Sequence, residues 1–227
     1  MTSTLTSPVR EDGWLTAGEV VLTGADAAVR ADLIKAVHLL HQLGALRNPY
    51  SANASVRLPG SPGHVLINAK GLPADISEQD FGVVTLDGDL VAGRLGPGVR
   101  QVLQMHTLAY ARPGVHAVIH THSLHATAFA LAHRPIPPNY EPLVNRGQTV
   151  EIPCAPYRAR NNGDLGASIT ALLEQHPDTR AVLLANHGLL AFDDGPLSTA
   201  RLVATIEEAA ALEILAAPLG GSKPIVR

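Results

Sequence analysis

Residues 111–122 read ARPGVHAVIHTH and predict a buried strand that ends in two histidines. The run 115–120 is apolar and rich in β-branched residues, as strands with two covered faces are. Only one residue separates His120 from His122, and successive side chains of a strand alternate between its faces. Both imidazoles are therefore expected on the same face, where they can bind one metal ion.

A third histidine follows a second apolar run. Residues 181–184 read AVLL and predict another strand, after which come His187 and Gly188. Glycine permits a turn and a close approach of the backbone. Three imidazoles that leave a fourth position open are typical of a catalytic metal site. The alternative interpretation of His-Thr-His is a polar strand end, because so short a pattern is a weak motif by itself.

Composition limits the classes of protein that fit the chain. A length of 227 residues with 46% hydrophobic residues predicts a single domain, 1–227, with residues 1–20 and 218–227 flexible. Lys and Arg number 17 against 20 Asp and Glu, without a basic run, which argues against nucleic acid and membrane partners. No apolar run suits a signal peptide or a membrane span, so we expect a cytoplasmic protein. Cys154 is the only cysteine, so a metal site has to use His, Asp or Glu.

Periodicity predicts a strand-rich first half, followed by alternating helices and strands. Apolar residues recur at helical spacing in 25–43, and Asp87-Gly88 marks the tight turn of a hairpin over 81–92. The other predicted elements are strands 54–58, 64–68 and 149–152 and helices 99–111, 124–132, 163–176 and 198–216.

Several motifs follow the order that they have in one known family. They are the segment 111–122 with Ala126-Thr127-Ala128 after it, IPCAPY at 152–157, LANHGLL at 184–190, NASV at 53–56 and INAKG at 67–71. In these motifs the chain resembles the class II aldolase/adducin family, and the likeness extends over about residues 28 to 215.

The resemblance implies a fold, an assembly and a metal. The implied fold is a three-layer α/β/α domain with a mainly antiparallel central sheet, and the implied assembly is a homotetramer with active sites at subunit interfaces. His120, His122 and His187 match the ligands of a divalent ion, with zinc expected and iron or manganese as alternatives. In such enzymes the ion stabilises the enediolate that forms when a carbon–carbon bond of a small-molecule substrate breaks. Adducin-like members without catalytic activity lack these histidines.

The chain departs from the sugar-phosphate aldolases at their catalytic glutamate. Where they carry Ser-Ser-Glu, this chain has Val99-Arg100-Gln101. Gln101 can orient a substrate oxygen, but it cannot act as a base. Tyr140 and Glu141 lie where the family places a tyrosine near the substrate, so either is a candidate to supply or relay a proton. Their alternative role is loop structure.

The phosphate-binding positions of the family also differ. The matching positions are Asn53, Lys70, Gly71 and Arg100, which we predict to bind the substrate. Lys70 and Arg100 replace neutral residues and suit a carboxylate, which arginine can hold through two hydrogen bonds. The alternative is that both are solvated surface charges.

These departures favour a metal-dependent decarboxylase as the leading interpretation. Loss of carbon dioxide needs no base at position 101, and the ion would stabilise the resulting enolate or phenolate of a small, dihydroxyaromatic acid. The alternatives are a class II aldolase that cleaves a hydroxy-ketone or sugar phosphate, an iron-dependent oxidative decarboxylase or oxygenase, and a non-catalytic adducin-like assembly module. The sequence leaves the substrate, the physiological metal and the pathway open.

Overall fold

The structure, a computed structural model, describes residues 12–158 and 164–226, without the side chains of Ser51, Gln101 and Asp164. The strands in these ranges are β1 (Leu15–Thr16), β2 (Asn53–Leu58), β3 (Ser61–Asn68), β4 (Phe81–Thr85), β5 (Leu90–Leu95), β6 (Ala117–Thr121), β7 (Cys154–Ala155), β8 (Ala181–Leu184) and β9 (Gly188–Asp193). The helices are α1 (Gly24–Gln42), α2 (Pro97–Ala109), α3 (Leu124–Leu131), α4 (Glu141–Asn145), α5 (Asp164–Gln175) and α6 (Pro196–Ala216), with short 3-10 helices at Pro49–Ser51 and Ala217–Leu219.

The strands form one sheet in the order β1-β5-β4-β3-β2-β6-β9-β8-β7. Every neighbouring pair is antiparallel except β7 and β8, which are parallel. Helices α1, α3, α4 and α6 lie on one face of the sheet, and α2 and α5 lie on the other. The predicted three-layer α/β/α fold with a mainly antiparallel sheet is therefore confirmed.

Strand β6 lies at the centre of the sheet and is buried on both faces. Ala117 and Ile119 pack into the core beneath α1, α3 and α6, whereas Val118 packs with Val182 of β8 beneath α2 and α5. A strand covered on both faces needs apolar residues at consecutive positions. This explains why residues 117–119 of the strand are apolar without interruption.

The predicted first helix is present as α1. Its residues Leu33, Ala36, Val37 and Leu40 recur at helical spacing and are fully buried. The helix ends at Gln42, and Gly44 just beyond it has a φ of +70°. Such a left-handed residue after a helix is a common stop signal.

The hairpin over 81–92 is also present. Gly88 has a φ of +96°, and the Thr85 N–H donates to the Asp89 carbonyl across the turn, at 2.9 Å. The Asp-Gly pair therefore makes the tight turn between β4 and β5.

The prediction of a strand at residues 149–152 is wrong. The strand in this region is β7 at Cys154–Ala155, and Ile152 forms only an isolated bridge with Ile136. The Gln148 side chain donates to the Val150 carbonyl and accepts the Arg180 N–H, so it occupies backbone groups that a strand would pair. The prediction also missed β9, which begins at Gly188.

The two ends of the described chain make specific contacts. Leu15 and Thr16 pair with β5, and the Ser222 hydroxyl donates to Glu213 and accepts from Asn139. Residues 1–11 and 227 lie outside the described residues, and the flexibility expected for 1–20 and 218–227 stays a prediction. Among the described helices, none has the length and hydrophobicity that a membrane crossing requires.

Replacing Leu40 by alanine should lower the free energy of unfolding by about 2–5 kcal/mol, because it leaves a cavity under a fully buried side chain. Urea unfolding followed by circular dichroism measures the change. The control is Leu43→Ala at the end of the same helix, where the side chain is 57% exposed and the loss should be below about 0.5 kcal/mol. Equal losses at the two positions would contradict the assignment of the buried face of α1.

Candidate metal centre

Three histidine side chains meet at one end of the central strands. His120 lies near the end of β6, His122 directly after it, and His187 in the turn between β8 and β9. Their ring centroids are 4.6–5.0 Å apart, and one nitrogen from each lies within 4.8 Å of the others. The structure thus brings together the residues that the sequence assigned to the metal. This spacing fits three nitrogen ligands of one divalent ion.

The orientation of His120 leaves one nitrogen available for a metal. Its Nδ1 lies 2.9 Å from the Leu189 carbonyl, so Nδ1–H donates to this oxygen and Nε2 carries the lone pair. That Nε2 is 3.1 Å from Nε2 of His122. Burial, followed by the nearby His187 and His122, lowers the pKa of His120 well below its usual value. His120 is therefore neutral at pH 7, which is the form that binds metals.

The turn that carries His187 fits tightly against the end of β6. Asn186 has a φ of +56°, and its N–H donates to the Ala130 carbonyl of α3. A Cβ atom on Gly188 would lie 2.5 Å from the Thr121 carbonyl oxygen and 2.7 Å from the His122 ring. Glycine is required here because the two ligand-bearing segments touch.

A cavity of about 220 Å3 borders the histidines. His122 and His187 form part of its wall, together with the predicted substrate-binding residues Asn53, Lys70 and Gly71. Asn53 is paired with His120 across β2 and β6, and its buried Oδ1 has no hydrogen-bond partner among the described residues. An unpaired buried acceptor beside a cavity is suited to a ligand donor.

The loop that carries Lys70 and Gly71 is held against β2. Asn68 accepts the Ala54 N–H at 2.7 Å and donates to the Lys70 carbonyl. A Cβ on Gly71 would lie 2.3 Å from the Pro49 carbonyl oxygen, so only glycine allows this contact. The Lys70 residue itself is exposed at the wall of the cavity.

Three other predicted site residues, Arg100, Tyr140 and Glu141, do not line this cavity. Arg100 is exposed on α2, one residue beyond Val99, which does line it. Gln101 lies in α2, but its side chain is outside the described residues. Tyr140 and Glu141 lie at the start of α4, in the layer on the opposite face of the sheet. Burial and a hydrogen bond with Glu208 raise the pKa of Tyr140.

A buried polar chain close to the histidines was not predicted. His106 Nδ1 is 2.8 Å from the Ser55 hydroxyl, which is 2.7 Å from the Tyr110 hydroxyl. Burial lowers the pKa of His106 to about 3 and raises that of Tyr110, so both are neutral at pH 7. The signal that would have found His106 is its helical spacing from Val99 and Val102 on the buried face of α2.

Comparison with known proteins places these features in a family. A family model described as Class II Aldolase and Adducin N-terminal domain matches residues 31–214. An L-fuculose phosphate aldolase of Escherichia coli O6:H1 is 31% identical over 143 residues, which are 62% of this chain and 62% of that relative. The matched stretch thus spans less than two thirds of that relative's length.

Longer matches are found as well. A 5-methylthioribulose-1-phosphate/5-deoxyribulose-1-phosphate aldolase of Escherichia coli O45:K1 is 30% identical over 178 residues, covering 78% of this chain and 79% of that protein. The solved structure of an L-fuculose 1-phosphate aldolase has a TM-score of 0.75 and 28% identity, covering 89% of this chain and 92% of that one.

Replacing Gly188 by alanine should weaken metal binding by about tenfold or more, because the added methyl group collides with backbone and with the His122 ring. Competition with a chromophoric chelator measures the zinc affinity. Gly63→Ala is the control, since a Cβ there meets nothing within 4 Å and should leave the affinity unchanged. Wild-type affinity in Gly188→Ala would show that the tight turn does not position His187.

Proposed function

The chain belongs to the class II aldolase and adducin family, and on this basis we propose that it is a divalent-metal-dependent carbon–carbon lyase that catalyses aldol cleavage of a small oxygenated substrate. The observation that carries the proposal is the convergence of His120, His122 and His187 beside a cavity that His122 and His187 line. An adducin-like role without catalysis would not require three converging imidazoles. The enzyme class extends to this chain by similarity and by the chemistry of its donors.

The proposed ligands suit a metal that accepts nitrogen donors. Zinc is the ion that we propose, because it commonly takes three histidines and keeps a fourth position for water or substrate; iron and manganese are the alternatives. Bound there, a divalent ion supplies Lewis-acid stabilisation of negative charge on a substrate oxygen. His120 contributes a nitrogen held in place by the Leu189 carbonyl, so its ring does not have to reorient on binding.

The remaining wall of the cavity can orient the substrate. The buried Oδ1 of Asn53 is placed to accept a hydrogen bond from a substrate hydroxyl. Lys70 offers a positive charge to an anionic group, and Gly71 allows the loop to approach closely. Val99 and Val102 exclude water from the side next to α2. These roles favour a small, hydroxylated, anionic substrate.

The names of the relatives suggest which anionic group the substrate carries. Their names describe aldolases of fuculose phosphate and of 5-deoxyribulose 1-phosphate, so we propose a sugar phosphate or a related hydroxy-ketone. Lys70 serves as a point charge for either a phosphate or a carboxylate. The exposed position of Arg100 gives it no direct place in the cavity wall, and its contact with substrate stays a prediction.

Decarboxylation is the second candidate, and one observation favours it. Among the described residues that line the cavity there is no carboxylate, and position 101 carries glutamine. Aldol cleavage has to remove a proton from a substrate hydroxyl, whereas loss of carbon dioxide does not. The similarity to named aldolases supports aldol cleavage more strongly, so decarboxylation of a hydroxylated acid ranks second.

We also propose that the site is completed in a homotetramer. Tyr140 and Glu141 lie on the face of the sheet opposite the cavity, so they can serve a cavity only in a neighbouring copy. Large apolar side chains are exposed on α3 and on the C-terminal part of the chain, among them Leu131, Leu215 and Leu219. Exposed apolar clusters of this kind are common at protein interfaces.

The main test is product analysis with defined metals. Protein stripped of metal and reloaded with zinc, manganese or iron(II) should cleave a phosphorylated ketose or hydroxy-ketone into two carbonyl fragments, which can be trapped and measured by mass spectrometry. Chelation or His120→Ala should abolish cleavage, because the ligand set is then incomplete. Release of carbon dioxide from a dihydroxyaromatic acid would instead support decarboxylation, and oxygen uptake would support an oxygenase. Full turnover by metal-free protein would refute all three.

Lys70→Met should lower kcat/KM for an anionic substrate by about tenfold, because a hydrogen-bonded charge contact is lost at an exposed position. Metal content and the unfolding midpoint should not change. Lys35→Met is the matched control, since Lys35 is a solvated lysine of α1 that pairs with Asp32. Unaltered kcat/KM in Lys70→Met would exclude Lys70 as the group that binds the anion.

A further inference from the structure

We propose that Glu207 is a positioning residue of the metal centre, because its carboxylate holds the start of α3 and thereby the orientation of His122. The proposal rests on the metal site proposed above, but not on the reaction that takes place there. Glu207 belongs to α6 and lies outside the cavity, so it acts through α3.

The carboxylate of Glu207 caps α3 from a distant part of the chain. Its oxygens accept the N–H groups of His125, at 2.9 and 3.1 Å, and of Ala126, at 2.9 Å, and one oxygen lies 2.8 Å from the His125 ring. The first N–H groups of a helix have no partner within the helix. The Glu207 side chain is only 13% exposed. A largely buried carboxyl group that accepts N–H groups from the first turn of α3 therefore fixes where the helix begins.

The residue in the capping position of α3 does not perform this task. Ser123 makes no side-chain capping bond. Its hydroxyl donates to the Ala45 carbonyl at 2.9 Å and lies 2.6 Å from the Thr121 hydroxyl. His122 thus lies between Thr121 and Ser123, whose hydroxyls are hydrogen-bonded to each other. The residues that follow, His125 and Ala126, are hydrogen-bonded to Glu207. The direction of the His122 ring depends on these contacts because His122 lies in the short connection between the end of β6 at Thr121 and the start of α3 at Leu124.

The other end of α3 reaches the second ligand-bearing segment. The Ala130 carbonyl accepts the N–H of Asn186 at 3.1 Å, and Asn186 precedes His187. Helix α3 therefore connects the segment of His122 with the turn of His187. A shift or rotation of α3 would move both ligands relative to His120, which β6 holds in the sheet.

Apolar packing alone would keep α3 folded, but it would fix the position of the helix less firmly than the hydrogen bonds at its two ends do. Ala126 and Ala130 are buried against the sheet and α6, but the hydrophobic effect that favours their burial is non-directional and leaves the helix freedom of position. The directional contacts at the two ends of α3 remove this freedom. A purely structural role would lower stability, whereas a positioning role changes the metal site as well.

The test is Glu207→Gln in the full-length protein. Glutamine keeps the size of the side chain, but its amide nitrogen cannot accept an N–H group, so one capping contact is lost. We expect zinc affinity to fall by about 10- to 100-fold, the range seen when groups that orient metal ligands are removed. With cobalt(II) in place of zinc, the visible absorption should also change, because it depends on the geometry of the ligands.

The control is Glu174→Gln, which makes the same chemical change at an exposed position of α5 and should leave zinc affinity and the cobalt spectrum as in the wild type. If Glu207→Gln does not fold, Glu207→Asp replaces it. The shorter aspartate keeps the carboxyl group but places its oxygens farther from the N–H groups of His125 and Ala126, so zinc affinity should again fall. Urea unfolding of the metal-free proteins measures any loss of stability separately.

Wild-type zinc affinity and an unaltered cobalt spectrum in the Glu207 variant, even in a destabilised protein, would overturn the proposal. The outcome is separable from that of the proposed function. If the wild-type protein binds zinc tightly but cleaves no carbon–carbon bond, the proposed function fails. The zinc affinities of the wild type and the Glu207 variant can still be compared, so the positioning role of Glu207 is tested all the same.

Discussion

The pairing of β6 with β2 on one side and β9 on the other is the constraint on which the site depends. The register places His120 opposite Asn53 and opposite Leu190, so the proposed metal ligand lies between a polar residue of the cavity wall and the strand that follows His187. A change of register by one residue would turn His120 to the other face of the sheet. Burial of β6 on both faces is what prevents such a slip.

Burial also determines the protonation state of His120. A fully buried imidazole is destabilised in its charged form, and two further imidazoles nearby add to this effect for His120. Neutral imidazoles can lie close together without charge repulsion, provided that each polar nitrogen has a partner. The Leu189 carbonyl satisfies one nitrogen of His120 and leaves the other for a metal. The fold thereby prepares a binding site before any ion arrives.

Local patterns predicted the parts of this site that local structure determines. The two-residue period placed His120 and His122 together, because both lie at the end of one strand. The meeting with His187 depends on pairing between β6 and β9, which no local period reveals, and the family resemblance supplied it. The prediction of a strand at 149–152 failed because the Gln148 side chain bonds the Val150 carbonyl and the N–H of the distant Arg180, which are backbone groups that strand pairing would use. Glu207 was missed for a similar reason: 82 residues separate it from the N–H group of His125 that it caps.

The polar groups of the proposed site lie on two faces of the sheet. His122, His187, Asn53 and Lys70 line the cavity, and His120 lies beside it. The groups that the resemblance assigns to proton transfer, Tyr140 and Glu141, lie in the layer on the other face of the sheet. A nine-stranded sheet separates the two sets, and no side chain can reach across it. Gln101 cannot supply a proton in their place, so a second copy of the chain is the arrangement that would bring Tyr140 or Glu141 to the three histidines.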